Sequence, residues 1–183
     1  MRWKYDIGSL EVITGPMFAG KSNEIIRILN VNQIAGFKPL SFKPDFDTRW
    51  SVNHIVSRTG SKMKTINLKD PKDIWNHIKK DTQVIAFDEV HFFDMSIVAE
   101  IQKLIEKKYK VIVSGLDMDY LGKPFEVVSQ LCCLADKIKK LKAVCMNCHG
   151  VANMTYRKVD NNERNLLGDS EYEARCRNCH KLR

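Results

Sequence analysis

Gly15-Pro16-Met17-Phe18-Ala19-Gly20-Lys21-Ser22 matches the pattern G-x-x-x-x-G-K-S/T without a gap. It follows an apolar run, Leu10 to Thr14, and precedes a segment with helical spacing, which is the context a phosphate-binding loop requires. Glycines let the backbone wrap closely, so that successive N–H groups face phosphate oxygens, and the positive end of the next helix adds attraction. Lys21 can reach the outer phosphates of a nucleotide, and Ser22 can ligate magnesium. A second apolar run, Val84-Ile85-Ala86-Phe87, ends in Asp88-Glu89. Ligands of open α/β sheets bind at the carboxyl ends of strands. Asp88, nearer the strand body, suits the magnesium shell, and Glu89 suits proton acceptance. In an ATPase Glu89 would activate water; in a kinase it would take the proton of an acceptor hydroxyl. Spacing does not separate the two. Adjacent strand residues face opposite ways, so the pair can share one site only if the strand has already turned.

Cys145-x-x-Cys148 and Cys176-x-x-Cys179 enclose 27 residues. Four thiolates arranged as two knuckles suit zinc in a closed, structural site. Disulfides are the competing reading, and the start of the chain, Met1 to Asp6, has no apolar stretch that would send it to an oxidising compartment. His149 and His180 adjoin the knuckles and read as exposed neighbours, while Cys132-Cys133 read as buried small residues between Leu131 and Leu134. The polar segment between the knuckles suits either a metal-anchored lid over a substrate or a nucleic-acid-binding ribbon.

These residues need a scaffold. Strands are expected at 10–14, 39–43, 83–87 and 111–113, and helices at 22–35, 71–79 and 94–108, with Gly36 ending the first and Asp94 capping the last. Residues 43–61 are polar and suit a loop or hairpin. Strand alternating with helix implies an α/β fold with a parallel sheet. Composition changes near residue 141, which divides the chain into 1–141 and a metal-stapled unit, 142–183. With 44% hydrophobic and 28% charged residues the chain reads as globular, without a membrane-spanning run, and as cytoplasmic. The net charge of +8 allows an anionic partner, but the lysines are scattered rather than striped, which speaks against nucleic acid.

Together the motifs resemble those of the type II thymidine kinases, over about residues 8–179. The phosphate loop carries the family's Pro-Met-Phe. Asp47-Thr48-Arg49-Trp50-Ser51 is similar to a segment near the donor phosphates, Asp88-Glu89-Val90-His91-Phe92-Phe93 to the acidic motif with the proposed base, and Leu116-Asp117-Met118-Asp119-Tyr120 with Lys123-Pro124-Phe125 to the nucleoside pocket. Thr155 and Arg157 stand where the family has a threonine and a basic residue. Leu166-Leu167-Gly168 with Tyr172 resembles the lasso that closes over thymidine, and Cys145, Cys148, Cys176 and Cys179 match its zinc ligands. His91 stands in place of a usual glutamine, and Gly168-Asp169 in place of Gly-Gly, with Tyr172 one residue nearer.

The resemblance implies a parallel-sheet P-loop NTPase-like domain and a small C-terminal zinc ribbon carrying the lasso. It implies transfer of the ATP γ-phosphate to the 5′-hydroxyl of thymidine or deoxyuridine, feedback by dTTP, and a homotetramer. On it, Glu89, Lys21 and Arg49 would be catalytic. Gly15, Met17, Phe18, Ala19, Gly20, Lys21, Ser22, Asp47, Asp88 and His91 would hold ATP and Mg²⁺. Met17, Phe92, Leu116, Tyr120, Thr155, Leu166, Leu167, Gly168 and Tyr172 would bind the nucleoside, Tyr172 reading the base edge. The rival is a P-loop ATPase whose zinc ribbon engages nucleic acid.

Overall fold

The apolar runs become the inner strands of one sheet in the computed structural model, which describes residues 7–47, 53–161 and 163–181. Arg49 lies outside the described residues. The strands are β1 (Ser9–Thr14), β2 (Lys38–Pro44), β3 (His54–Val56), β4 (Lys62–Lys64), β5 (Ile66–Leu68), β6 (Thr82–Phe87), β7 (Lys110–Gly115) and β8 (Lys137–Lys140). Six of them form a sheet in the order β5-β2-β6-β7-β1-β8, every pairing parallel. The pleat sends alternate residues to opposite faces. Leu10, Val12, Ile85, Phe87, Val111 and Val113 join one core cluster; Ile13, Val84, Ala86 and Ile112 join the other. Burial on both faces is why these strands read as unbroken apolar runs.

Helices cover both faces. α1 (Lys21–Ile34) buries Ile25, Ile26, Ile28 and Leu29 and stops before Gly36, whose φ of 87° is left-handed. Between α1 and the later helices, residues 71–79 form only a 3₁₀ turn and the short α2 (Ile74–His77), because Ile78 turns extended. α3 (Ser96–Glu106) packs Ile97, Ile101 and Leu104 beneath the opposite face; its N-cap is Met95, and Asp94, expected to cap it, instead accepts from the Ser96 N–H at 2.7 Å in the turn before it. The polar 43–61 stretch ends in a hairpin, β3 against β4.

α4 (Glu126–Leu134) and β8 have no counterpart among the sequence expectations. α4 buries Val127, Val128 and Leu131, which places Cys133 on the far side: it is exposed, and Cys132 only half-buried, contrary to the buried reading.

Beyond β8 come two small antiparallel pairs, β9 (Ala143–Val144) with β10 (Val151–Ala152) and β11 (Met154–Arg157) with β12 (Tyr172–Arg175), then α5 (Arg177–His180). Their core is Cys145, Ala152, Ala174 and Cys179, and Phe18 packs against it. Among the described residues no helix is long and apolar enough to cross a membrane.

Candidate active site

The turn from β1 into α1 wraps around Lys21, whose Nζ donates to Gly15 O at 3.2 Å and Pro16 O at 2.9 Å. Phe18 and Gly20 hold φ of 67° and 84°, and Gly15 holds 136°. A Cβ at Gly15 would lie 2.4 Å from Leu141 O, so this position admits no side chain. The Met17 N–H donates to Thr155 Oγ1 at 3.1 Å, tying the loop to β11.

β6 does turn at its end. Glu89 has φ of 53°, a left-handed conformation costly for a residue with a Cβ, and this brings Asp88 and Glu89 to the same cleft. The Glu89 N–H donates to Asp88 Oδ1 at 3.1 Å, and the Ser114 hydroxyl donates to the same oxygen. Asp88 is buried at the wall of the cleft. Burial first, then the charge of Glu89, raises its pKa to about 7 against the Ser114 hydrogen bond. A buried oxygen ligand reluctant to ionise alone, beside the Ser22 hydroxyl in the same cleft, is a donor set that suits a hard dication.

His91 is buried, between Phe92 (ring centroids 4.1 Å apart) and Phe125 (4.8 Å). Its Nδ1 accepts from the Leu116 N–H at 3.2 Å and also lies 3.5 Å from Glu89 Oε2. A backbone N–H fixes its own direction, so Nδ1 presents a lone pair and the Glu89 approach is a contact rather than an ion pair.

These groups line one cleft that opens to solvent. Met17, Phe18, Gly20, Lys21, Ser22, Asp47, Asp88, Glu89, His91, Phe92, Leu116, Tyr120, Thr155, Leu166, Gly168 and Tyr172 all line it; Gly15, Ala19 and Leu167 do not. Lys43, Arg58, Arg157 and Arg164 line it as well. Lys43 is buried at the end of β2, and a lysine closing a buried strand is a signal the sequence did carry.

Arg157 organises the 161–172 loop. Its guanidinium donates to the carbonyls of Asn161 (2.8 Å), Glu163 (2.6 Å) and Arg164 (3.2 Å) and to Tyr172 OH (2.7 Å), and lies 3.7 Å over the Tyr120 ring. Tyr172 OH in turn donates to Leu166 O at 2.7 Å. The hydroxyl expected to read a base edge is thus engaged as a strut closing the loop. Arg164 fastens the same loop to Asp119 (3.0 Å) and Pro124 O (2.7 Å).

The four cysteine sulfurs lie within 4.8 Å of one another, and Cys148 Sγ is 3.7 Å from Cys176 Sγ. Tetrahedral Zn–S bonds of about 2.3 Å put sulfurs about 3.8 Å apart. Burial opposes ionisation of Cys145, but N–H groups of Cys148, Cys176 and Asn147 bring its pKa down to about 6. Cys179 rises to about 12, since the Asn147 side chain lowers it less than Cys176, burial and the other thiols raise it. Four soft sulfur donors at this spacing suit a metal ion. His180 is not an exposed neighbour: its Nε2 lies 2.9 Å from Tyr120 O and 3.2 Å from Thr155 O, linking the cysteine knuckle to the cleft wall.

Residues 8–180 match the family model described as thymidine kinase. A thymidine kinase of Mycoplasma mobile is 47% identical over 181 residues, 97% of this chain and 89% of the relative. Thymidine kinases of Metamycoplasma arthritidis (46% over 178 residues, 96% and 92% covered) and Mesomycoplasma hyopneumoniae (45% over 181 residues, 98% of each) are similar throughout.

Proposed function

Because the chain belongs to the thymidine kinase family, we propose that it transfers the γ-phosphoryl group of ATP to the 5′-hydroxyl of thymidine or deoxyuridine. One observation carries this reading beyond the family: the phosphate loop, the Asp88-Glu89 pair and the loop clasped by Arg157 and Tyr172 open on one cleft.

The backbone N–H groups of residues 18–22 and the Lys21 ammonium bind the donor phosphates. Ser22 and Asp88 would hold Mg²⁺, which would neutralise charge on the phosphates. Glu89 orients the acceptor hydroxyl and receives its proton late in the transfer. Arg49 and Asp47 serve the donor side. Met17, Phe92, Leu116 and Tyr120 form the apolar wall for sugar and pyrimidine, with His91 packed behind Phe92. Residues 166–168 offer backbone groups to the base. Because Tyr172 is engaged with Leu166 and Arg157, it shapes this lasso and presents its ring.

Two units, 1–141 and 142–183, divide the work: the sheet holds the donor, and the ribbon, stapled by zinc on Cys145, Cys148, Cys176 and Cys179, carries the lasso. Thiols kept reduced for zinc suit the cytoplasm. From its family we read the chain as a homotetramer subject to feedback by dTTP.

A panel of nucleosides incubated with ATP and Mg²⁺ tests the reading. Phosphorylation of thymidine and deoxyuridine, with purine nucleosides refused, is expected. ATP hydrolysis indifferent to nucleosides but stimulated by DNA or RNA would overturn it in favour of a nucleic-acid-dependent ATPase.

A further inference from the structure

The tip of the β3–β4 hairpin touches both halves of the cleft. Arg58 lays its guanidinium 4.0 Å from the centroid of the Phe18 ring, in the phosphate loop. The same guanidinium forms an ion pair with Asp169, the residue after Gly168 in the lasso. Next to it, Thr59 Oγ1 donates to Asn23 Oδ1 at 2.9 Å, in the first turn of α1 beside Ser22. The tip is a tight turn: Gly60 N–H donates to Ser57 O at 2.9 Å, Ser61 N–H to Ser57 Oγ at 3.0 Å, and the Ser57 and Thr59 hydroxyls are bonded at 3.0 Å. Ser57 itself is buried. Arg58 therefore projects from a rooted base. Its contacts belong to two segments that the proposed function assigns to different substrates.

We infer that Arg58 is a positioning residue that, through Asp169, couples closure of the lasso over the nucleoside to occupancy of the phosphate loop by the donor. This rests on the thymidine kinase reading, which supplies the two roles. Phosphates in the loop order its backbone and with it the Phe18 ring. An ordered ring holds Arg58 in the stacked position, and a held guanidinium favours the lasso position that brings Asp169 to it. Linkage is reciprocal, so a closed lasso favours the donor equally. A glycine at 169 could not make this contact, so the coupling depends on the Asp169 carboxylate. The pair is half exposed, with side-chain accessibilities of 46% and 33%. Solvent screening then limits the pair to a factor of roughly two to five, with the stacked ring adding to Arg58 alone.

The experiment titrates thymidine by calorimetry into the zinc-loaded full chain with Mg²⁺, with and without a non-hydrolysable ATP analogue. The proteins are the wild type, Asp169→Asn, Arg58→Gln and the reversed pair Arg58→Asp/Asp169→Arg, with Tm measured for each. The analogue is expected to tighten thymidine binding to the wild type. Each single substitution should cut that enhancement by about two- to fivefold, and the reversed pair should recover part of it. A merely structural role would lower Tm and weaken thymidine by the same factor with and without the analogue. That result, or an undiminished enhancement in both single variants, would overturn the coupling. So would a loss confined to the analogue's own affinity in Arg58→Gln, which would make Arg58 a donor contact. Should the reversed pair not fold, the two single variants decide. A wild type that neither binds nor phosphorylates thymidine would instead remove the functional reading beneath the inference.

Discussion

Asp88 illustrates how a residue can work against the fold that holds it. Its pKa of about 7 lies above the unfolded value of 3.8, chiefly through burial and then through Glu89. The folded state thus holds this proton more tightly than the unfolded one. Stability from it is complete below pH 4 and is lost as pH rises through 7. Without Mg²⁺, Asp88→Asn should therefore leave Tm nearly unchanged below pH 4 and raise it increasingly as pH climbs from 4 through 7, with on the order of 2–4 kcal/mol as the upper range by pH 8. The same variant should need far more Mg²⁺ for activity. Glu89→Gln should lower kcat by roughly 10²–10³-fold with ATP affinity within a few-fold, as expected for loss of a base in a loose transition state; near-normal turnover would sink the assignment. Tyr172→Phe removes a hydroxyl that both receives from Arg157 and donates to Leu166. A net hydrogen bond of about 1 kcal/mol predicts a thymidine KM several-fold higher and an ATP KM unchanged. The side chains of the phosphate loop and the acidic pair were legible in the sequence because motif and strand end sit together in the chain. Arg58 and Arg164 were not, since an arginine in a polar stretch shows its partners only after distant carbonyls and carboxylates have folded against it.

Among the elements, the inner strands and α1 were legible to within a residue or so because unbroken apolar runs and a 3.6-residue period have few alternatives. α4 and β8 escaped. β8 reads Lys-Ile-Lys-Lys, a charged surface pattern, yet an edge strand favours such lysines because they discourage further pairing. The expected helix at 71–79 shrank because Ile78 is extended and the Lys79 N–H donates to Thr82 Oγ1 at 3.1 Å instead of continuing the helix. The β1–α1 turn gives a test of its own. Gly15 and Gly20 both have positive φ, but a Cβ at Gly15 meets Leu141 O at 2.4 Å whereas one at Gly20 meets nothing within 4 Å. Gly20→Ala should cost about 1–2 kcal/mol from left-handed strain alone. Gly15→Ala should cost more than that, as β1 and the segment after β8 are forced apart; equal losses in chemical denaturation would contradict this.

Across the whole molecule, the cysteine cluster and the phosphate loop share a core. Phe18 packs on Cys145, Ala152, Ala174 and Cys179, and Thr155 receives the Met17 N–H. The sequence divided these parts at residue 141 because composition changes there, and composition is blind to contacts between a loop near one end and knuckles near the other. Cys145→Ser, or chelation, should release about one zinc per chain and lower Tm, since binding free energy in such a site is folding free energy. Because of the shared core, the loss should weaken ATP binding as well as thymidine binding. An apo protein with ordinary ATP affinity would show that the two parts are independent.

The place of β1 in the sheet has a consequence for how the chain is made. Among the described residues β1 pairs only with β7 and β8, Ser9 lying opposite Lys110 and Glu11 opposite Lys137. During synthesis β1 thus has no strand neighbour among the described residues until about a hundred further residues follow, roughly 5–20 s at ordinary rates. Through that interval Leu10, Val12 and Ile13 have no sheet to enter. A nascent chain stalled before residue 110 can assemble β2, β5 and β6 but leaves β1 and the phosphate loop that follows it without a seat.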